Sequence, residues 1–210
     1  MRTEQFIDLL ARQAGPAPRW KVEARLGVAV LAGLLASAAV AIAGLGVNAG
    51  LAMGVGLAVK VAYVAGLLFG AAWLASRVAR PATSPRDAGF SLAVVTATMA
   101  VIAAAVLTLA PSGERVDLFL GGSWDSCPWR VAALSVPAFM VIVWAMRGLA
   151  PTRLRLAGFT AGLLAGTLGA LGYALYCTET SPLFVAVWYT LGILIPAGVG
   201  AALGPWLLRW

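Results

Sequence analysis

The sequence contains no histidine and only two cysteines among its 210 residues. Without histidine, the chain has neither an HExxH motif nor a Cys/His zinc-ligand set, and it also lacks a nucleophile elbow and a phosphate-binding glycine loop. Charge is scarce as well, since Asp, Glu, Lys and Arg make up 11% of the residues. These absences predict a protein that is not an enzyme and that carries no cofactor.

Long apolar runs dominate what is present. The chain is 61% hydrophobic, and its mean hydropathy of +0.92 is far above that of an ordinary soluble domain. A helix needs about 20 apolar residues to cross the roughly 30 Å hydrocarbon core of a bilayer. Six runs come close to that length or exceed it, at residues 26–47, 51–75, 90–110, 128–146, 156–176 and 183–208. The sequence therefore predicts an all-α, polytopic membrane protein with six transmembrane helices.

The basic residues are distributed unevenly about these six spans. Most of them fall on one side of a six-span serpentine: Arg2, Arg12, Arg19, Lys21, Arg25, Arg77, Arg80, Arg86, Arg147, Arg153, Arg155 and Arg209. Arg115 and Arg130 fall on the other side. Because basic residues accumulate on the cytoplasmic side of membrane proteins, both termini are expected to be cytoplasmic. The net charge of +7 thus indicates topology, and we expect no direct contact with nucleic acid.

Residues 1–25 form a cytoplasmic leader ahead of a membrane domain over residues 26–210. The segment TEQFIDLLARQA is amphipathic at helical spacing, with an apolar arc of Phe6, Ile7, Leu9 and Leu10. The opposite arc contains Glu4, Gln5, Asp8 and Arg12. A helix that lies on lipid normally has a polar face rich in Lys and Arg, so a protein partner is the better explanation. The alternative is a helix that lies on its own bundle.

Lys60 is the one charged residue deep inside a predicted span, since Arg130 lies near the end of the fourth. It is the tenth residue of the second span, about 13 Å deep and near the bilayer middle. No predicted span supplies an Asp or Glu as a partner, so Lys60 must rely on snorkelling or on polar groups such as backbone carbonyls, Asn48, Thr96 or Thr98. We expect a structural or conformational role for it rather than a role in transport.

Glycines recur at four-residue spacing in three places: Gly46, Gly50 and Gly54; Gly158, Gly162 and Gly166; and Gly200 and Gly204. Small residues at this spacing let two helix backbones approach closely in lipid. We expect these faces to pack within the bundle rather than to form a channel or a dimer.

The two cysteines flank a helical hairpin. Cys127 directly precedes the fourth span, at the end of an outer loop over residues 111–127, and Cys177 directly follows the fifth. The two spans have similar lengths, so their outer ends are level within about 3 Å. A disulfide is one expectation there, because the outer side of a bacterial inner membrane is oxidising. Binding of a soft metal ion by the two thiolates, with Asp125 and Glu179 nearby, is the other. Arg130 could favour the thiolate form of Cys127.

The leader MRTEQFIDLLARQAGPAPR, six spans, a lysine-bearing second span (AVKVAY) and lone cysteines in SWDSCPWR and LYCTETSP together resemble the NrsF-type membrane anti-sigma factors. The resemblance implies an inner-membrane negative regulator of an extracytoplasmic-function sigma factor. It implies that Phe6, Ile7, Leu9 and Leu10 bind the sigma factor. It also implies that Cys127 and Cys177 sense oxidants or heavy metals.

A signal sensed outside would have to cross some 30 Å of bilayer to reach the leader, which requires an element with two arrangements. Lys60, Pro137 and Pro196 are the candidates for that element. Two other functions remain open from the residues: a quinone-linked membrane thiol oxidoreductase, which would also use cysteines on the outer face, and a small-solute transporter. The first normally has paired cysteines, and the second needs polar groups along a path through the spans.

Overall fold

The computed structural model describes residues 3–5, 7–8, 20–47, 54–80 and 83–209, and these residues contain no β-strand. From Trp20 onward, the described helices are α1 (Trp20–Leu45), α2 (Val55–Val78), α3 (Arg86–Leu109), α4 (Arg115–Leu120), α5 (Cys127–Arg147), α6 (Leu154–Ala174) and α7 (Pro182–Leu207). All except α4 are long and apolar enough to cross a membrane. This confirms the predicted all-α protein with six membrane-spanning helices.

The ends of the predicted spans differ from the ends of the helices. α1 begins at Trp20, inside the predicted leader, and α3 begins at Arg86 rather than at residue 90. α2 begins at Val55 rather than at residue 51, after Gly54, which has an extended backbone. Hydropathy marks only the apolar part of a helix, whereas the helix continues as long as its backbone hydrogen bonds do. Polar residues at the helix ends therefore lie outside the predicted spans.

The outer loop predicted over residues 111–127 contains a short helix, α4, that hydropathy did not indicate. Ser181, which directly precedes α7, and Trp188 within α7 both donate hydrogen bonds to it. The indole nitrogen of Trp188 donates a 2.8 Å hydrogen bond to the carbonyl of Phe119. The Ser181 hydroxyl donates a 3.0 Å bond to the carbonyl of Leu118. These bonds come from residues about 65 positions away in the chain. A helix that is stabilised by such distant contacts need not have a local sequence pattern, and the sequence near α4 has none.

α6 is the central helix of the bundle. In its most apolar stretch 72% of the residues are buried, against 11% in α3. Its glycine face lies against α7 backbone to backbone: a Cβ at Gly158 would lie 2.0 Å from the Gly200 carbonyl oxygen, and a Cβ at Gly162 would lie 2.0 Å from that of Pro196. No side chain fits at these positions. The predicted packing role of the glycines in the fifth and sixth spans is confirmed.

The two described glycines of the first series, Gly46 and Gly54, lie at helix ends. Gly46 follows α1 with a left-handed φ of +81°, no neighbour lies within 4 Å of a Cβ built on it, and Gly54 precedes α2. Gly50 lies outside the described residues. The expected packing role is therefore wrong for Gly46, which ends α1 with a left-handed backbone that glycine accommodates.

The two ends of the bundle differ in chemistry. At one end, here called the arginine-rich end, Arg80 forms an ion pair with Glu23 in the first turn of α1. There Arg147 donates a hydrogen bond to the carbonyl of Leu207, and the Arg25 guanidinium lies 5.2 Å from the ring centre of Trp144. The opposite end, here called the cysteine end, contains the start of α5 and the end of α6. These contacts join α1 to the end of α2, α1 to α5, and α5 to the end of α7.

The contact between α6 and α7 yields a matched test. Gly162→Ala places a methyl group against the Pro196 carbonyl and should lower the stability of the protein by about 1–3 kcal/mol through overpacking. Gly198→Ala, in α7 with nothing within 4 Å of its Cβ, should be neutral or stabilising by up to about 1 kcal/mol because alanine favours helix. Thermal unfolding in detergent micelles, followed by circular dichroism, measures both. Equal stability of the two variants would contradict the packing.

Candidate thiol site at the cysteine end

The structure brings Cys127 and Cys177 together as free thiols. Cys127 is the first residue of α5 and is fully buried, and Cys177 lies just beyond the end of α6 with 3% of its surface exposed. The Cys127 N–H donates to the Ser123 carbonyl at 2.8 Å, and the Cys177 N–H donates to the Tyr173 carbonyl at 3.0 Å. Both cysteines belong to one cluster of buried side chains. The helical hairpin therefore brings the start of α5 and the end of α6 to the same level, as the span lengths indicate.

Lys60 belongs to the same site. Its side chain is fully buried, and its ammonium donates a 2.9 Å hydrogen bond to the backbone carbonyl of Cys177. The ammonium also lies 5.2 Å from the centre of the Tyr189 ring. Among the partners that the sequence allowed, a backbone carbonyl is therefore the one used. A buried ammonium in a lipid-embedded bundle needs such acceptors, so this bond fixes the cysteine end against α2.

Lys60 is nearer to the cysteine end than the sequence indicated. Because α2 begins at Val55, Lys60 is about 8 Å along the helix, at 1.5 Å per residue. This is less than the depth of about 13 Å counted from residue 51, because the helix begins four residues later than the predicted span. Of the side chains considered as partners, Thr96 bonds to carbonyls of its own helix, and Asn48 lies outside the described residues.

Tyrosines surround the two thiols. The ring centre of Tyr173 lies 5.9 Å from that of Tyr189 and 6.0 Å from that of Tyr176. The Arg130 guanidinium lies 5.5 Å from the Tyr176 ring centre. The Tyr189 side chain is fully buried. We call Lys60, Cys127, Arg130, Tyr173, Cys177 and Tyr189 the thiol site.

A polar pocket of about 300 Å³ opens beside the thiol site. Its lining includes Ser123, Arg130, Cys177 and Glu179 but not Cys127, and we call it the outer pocket. One carboxylate oxygen of Glu179 accepts the Gly122 N–H at 2.7 Å. This bond joins the α4–α5 connection to the segment that contains Cys177. The pocket therefore opens beside Cys177 and not beside Cys127.

The described residues contain no group of three or more His, Cys, Asp or Glu side chains arranged to hold a metal ion. Glu179 already accepts the Gly122 N–H, and Asp125 is exposed. A soft metal ion at the thiol site would therefore have the two thiolates as its main protein ligands.

The remaining predicted residues lie elsewhere. Pro137 is inside α5 and Pro196 is inside α7, and Pro196 packs against the glycine face of α6. In the leader, Ile7 is helical and 59% exposed. Phe6, Leu9 and Leu10 lie outside the described residues. The structure thus collects Lys60 and Arg130 around the two cysteines and leaves both prolines within the spans.

Sequence reasoning missed the tyrosines. Tyr173 lies four residues before Cys177, a helical spacing that places both on one face at the end of α6 and that could have indicated the contact. Tyr189 ends a π-helical turn over Val185–Tyr189. Such turns rotate the residues that follow them, and they have no reliable sequence signature.

Six membrane-spanning helices with a pair of thiols beside a buried lysine define a helical membrane protein whose distinctive chemistry lies at one end of the bundle. The chain belongs to the NrsF family: a family model described as negative regulator of sigma F matches residues 10–210. It is 40% identical to the probable anti-sigma-F factor NrsF of Azospira oryzae, and 39% identical to the anti-sigma-F factor NrsF of Caulobacter vibrioides. Both comparisons cover each chain in full. These relatives are named as regulators rather than as enzymes. No solved structure gives a significant match.

Proximity of the thiols leads to a covalent test. Mild oxidation of the full-length protein in nanodiscs should link Cys127 to Cys177 within one chain, because both lie in the same buried cluster. Peptide mapping of the unreduced protein by mass spectrometry detects the link. Cys127→Ser and Cys177→Ser, treated in parallel, should lack it. Links that form mainly between chains would contradict the proposed pairing.

Proposed function

We propose that this chain is an anti-sigma factor of the bacterial inner membrane that holds an extracytoplasmic-function sigma factor on its leader. Oxidation of Cys127 and Cys177, or capture of a soft metal ion by them, releases the sigma factor. One observation carries the proposal. The buried ammonium of Lys60 bonds to the carbonyl of Cys177, so a change at the thiols acts directly on a membrane-spanning helix.

The leader supplies the binding surface in this proposal. Its apolar arc consists of Phe6, Ile7, Leu9 and Leu10, and Ile7 is exposed. An isolated helix of about 12 residues is marginally stable, so burial of the arc in a groove of the partner supplies the free energy that orders it. The polar face carries Glu4 and Asp8, and this charge disfavours anionic lipid as the alternative surface.

The orientation follows from the charges. The arginine-rich end carries the leader and most of the basic residues, and basic residues favour the cytoplasmic side. The leader can then reach a cytoplasmic sigma factor, while the cysteine end faces the oxidising periplasm. Both termini are cytoplasmic in this arrangement, and the chain crosses the inner membrane six times.

α2 connects the two ends. Lys60, near its start, contacts the carbonyl of Cys177. Arg80, two residues past its end, pairs with Glu23 in the first turn of α1, among the last residues of the leader. The 20 residues between Lys60 and Arg80 span about 30 Å, which is the thickness of the hydrocarbon core.

A covalent bond or a metal ion at Cys177 changes the position of its backbone carbonyl. Lys60 must then either follow that carbonyl or find another acceptor, and because the interior is apolar, few are available. α2 thereby has two arrangements, one for each state of the thiols, as coupling between distant sites requires. The pair formed by Arg80 and Glu23 passes the difference to the leader.

Leu10→Asp should weaken capture of the sigma factor about 100-fold, because an unpaired carboxylate in an apolar groove costs several kcal/mol. Gln5→Asp adds the same group on the opposite arc and should bind as the unmodified protein does. A chain that lacks residues 1–14 should not bind. The measurement is pull-down from solubilised membranes with mass-spectrometric identification, followed by titration of the purified sigma factor. Unchanged capture by Leu10→Asp and by the truncated chain would refute the assignment.

Lys60→Met should disconnect the thiols from the leader. The substitution keeps the length of the side chain and removes a buried charge, so the fold should survive. After complete oxidation, verified by mass, this variant should retain the sigma factor, whereas Val61→Met should release it normally. Val61 is a suitable control because it is the next residue of α2 and is 40% exposed. Release of bound fluorescent sigma factor from nanodiscs measures the effect, and normal release by Lys60→Met would exclude the route through α2.

A further inference from the structure

The two thiols of the thiol site differ in their access to solvent. Cys177 lines the outer pocket, whereas Cys127 does not. Cys127 has no exposed surface, and Cys177 retains 3%. A reagent that arrives in water through this pocket therefore meets Cys177 first.

The outer pocket suits a small and hydrophilic molecule. Its volume of about 300 Å³ has room for several molecules of water, each of which occupies about 30 Å³ in the liquid. Ser123 lines the pocket and has a buried hydroxyl without a hydrogen-bond partner, and Arg130, which also lines it, supplies N–H donors. These groups can orient an oxygen-rich reagent, whereas an apolar molecule would leave them unsatisfied.

The charges around each thiol also differ. The ammonium of Lys60 is hydrogen-bonded to the backbone of Cys177 itself, so a thiolate on that residue forms beside a fixed cation. Cys127 occupies the first position of α5, where the helix dipole favours a thiolate. Burial opposes thiolate formation at both residues, so the Lys60 cation at Cys177 and access from the outer pocket together decide which one reacts with an external reagent.

From this asymmetry we infer that Cys177 is the residue attacked first, by a small two-electron oxidant of the peroxide class that enters the outer pocket, and that Cys127 is the resolving thiol. The inference rests on the proposed redox role of the pair and adds the order of events and the class of reagent. Among the residues of the thiol site, only Cys177 then reacts directly with the oxidant.

The disulfide forms in two steps, through a sulfenic acid at Cys177. The Cys177 thiolate attacks one oxygen of the peroxide, an S–O bond forms, the O–O bond breaks, and the leaving hydroxide or alkoxide takes up a proton. Cys177 is then a sulfenic acid, oxidised by two electrons. The Cys127 thiolate attacks that sulfur, an S–S bond forms, the S–O bond breaks, and hydroxide leaves and is protonated to water. With hydrogen peroxide, two thiols and one peroxide give one disulfide and two waters.

The order is tested with single-cysteine variants in nanodiscs. Cys127→Ser and Cys177→Ser are treated with hydrogen peroxide in the presence of dimedone, which traps sulfenic acids, and labelling is measured by intact mass and peptide mapping. Cys127→Ser should be labelled at Cys177 about tenfold faster than Cys177→Ser is labelled at Cys127, because reactivity follows exposure and thiolate character. Labelling at equal rates, or faster at Cys127, would overturn the order.

A pocket variant tests the route of entry. Ser123→Leu fills the outer pocket but leaves the Ser123 carbonyl in place as the acceptor of the Cys127 N–H, and it should slow labelling of Cys177 about tenfold. Ser112→Leu makes the same change at an exposed outer position that does not line the pocket, and it should have no effect. Equal rates for the two variants would show that the oxidant does not use the pocket.

A third measurement does not depend on any variant and separates this inference from the proposed function. When unmodified protein is quenched at early times, the dimedone adduct should appear on Cys177 before the disulfide accumulates, and an early adduct on Cys127 would contradict the order. The sigma factor is absent from all three experiments. If the protein gives the expected labelling in all three experiments but does not release the sigma factor when it is oxidised, the proposed function alone is refuted.

Discussion

The close approach of α6 and α7 is the constraint on which the rest of the bundle depends. Lipid offers no hydrophobic force to drive two apolar helices together, so their association relies on van der Waals contact over a smooth surface. Gly158 and Gly162 supply that surface against the backbone of α7. Because α6 is central, its position also fixes where Tyr173 and Cys177 lie at its outer end. The position of the thiol site therefore depends on a glycine contact that lies further along α6, away from the cysteine end.

A single hydrogen bond from Lys60 joins α2 to the backbone of Cys177. The ammonium of Lys60 has no acidic partner among the described residues and depends on the carbonyl of Cys177. A backbone carbonyl, unlike a carboxylate on a flexible side chain, cannot move without its peptide. In the proposed mechanism, a covalent change at Cys177 therefore acts on α2 through this peptide, without the titration of a distant carboxylate.

The sequence predicted the features that depend on hydropathy and spacing. Six spans, the glycine faces of the last two spans and the level ends of the hairpin all follow from such patterns, and the helices of the structure agree with them. It did not predict α4, the start of α2 or the tyrosines around the thiols. α4 is held by bonds from distant residues, and Tyr189 depends on a π-helical turn. Neither kind of feature leaves a local pattern, because each is decided by tertiary contacts.

The contrast between α3 and α6 has an evolutionary consequence. α3 buries only Ala88, Met99 and Ala103, so nearly any apolar side chain is compatible with its surface as long as the helix remains long enough for the bilayer. Substitution in α6 is far more restricted, because its glycines touch backbone that cannot withdraw. Within a lineage, α3 is then free to drift in size and shape while α6 is held to small residues. Divergence among homologous chains should consequently be concentrated in the helix that contributes least to the core.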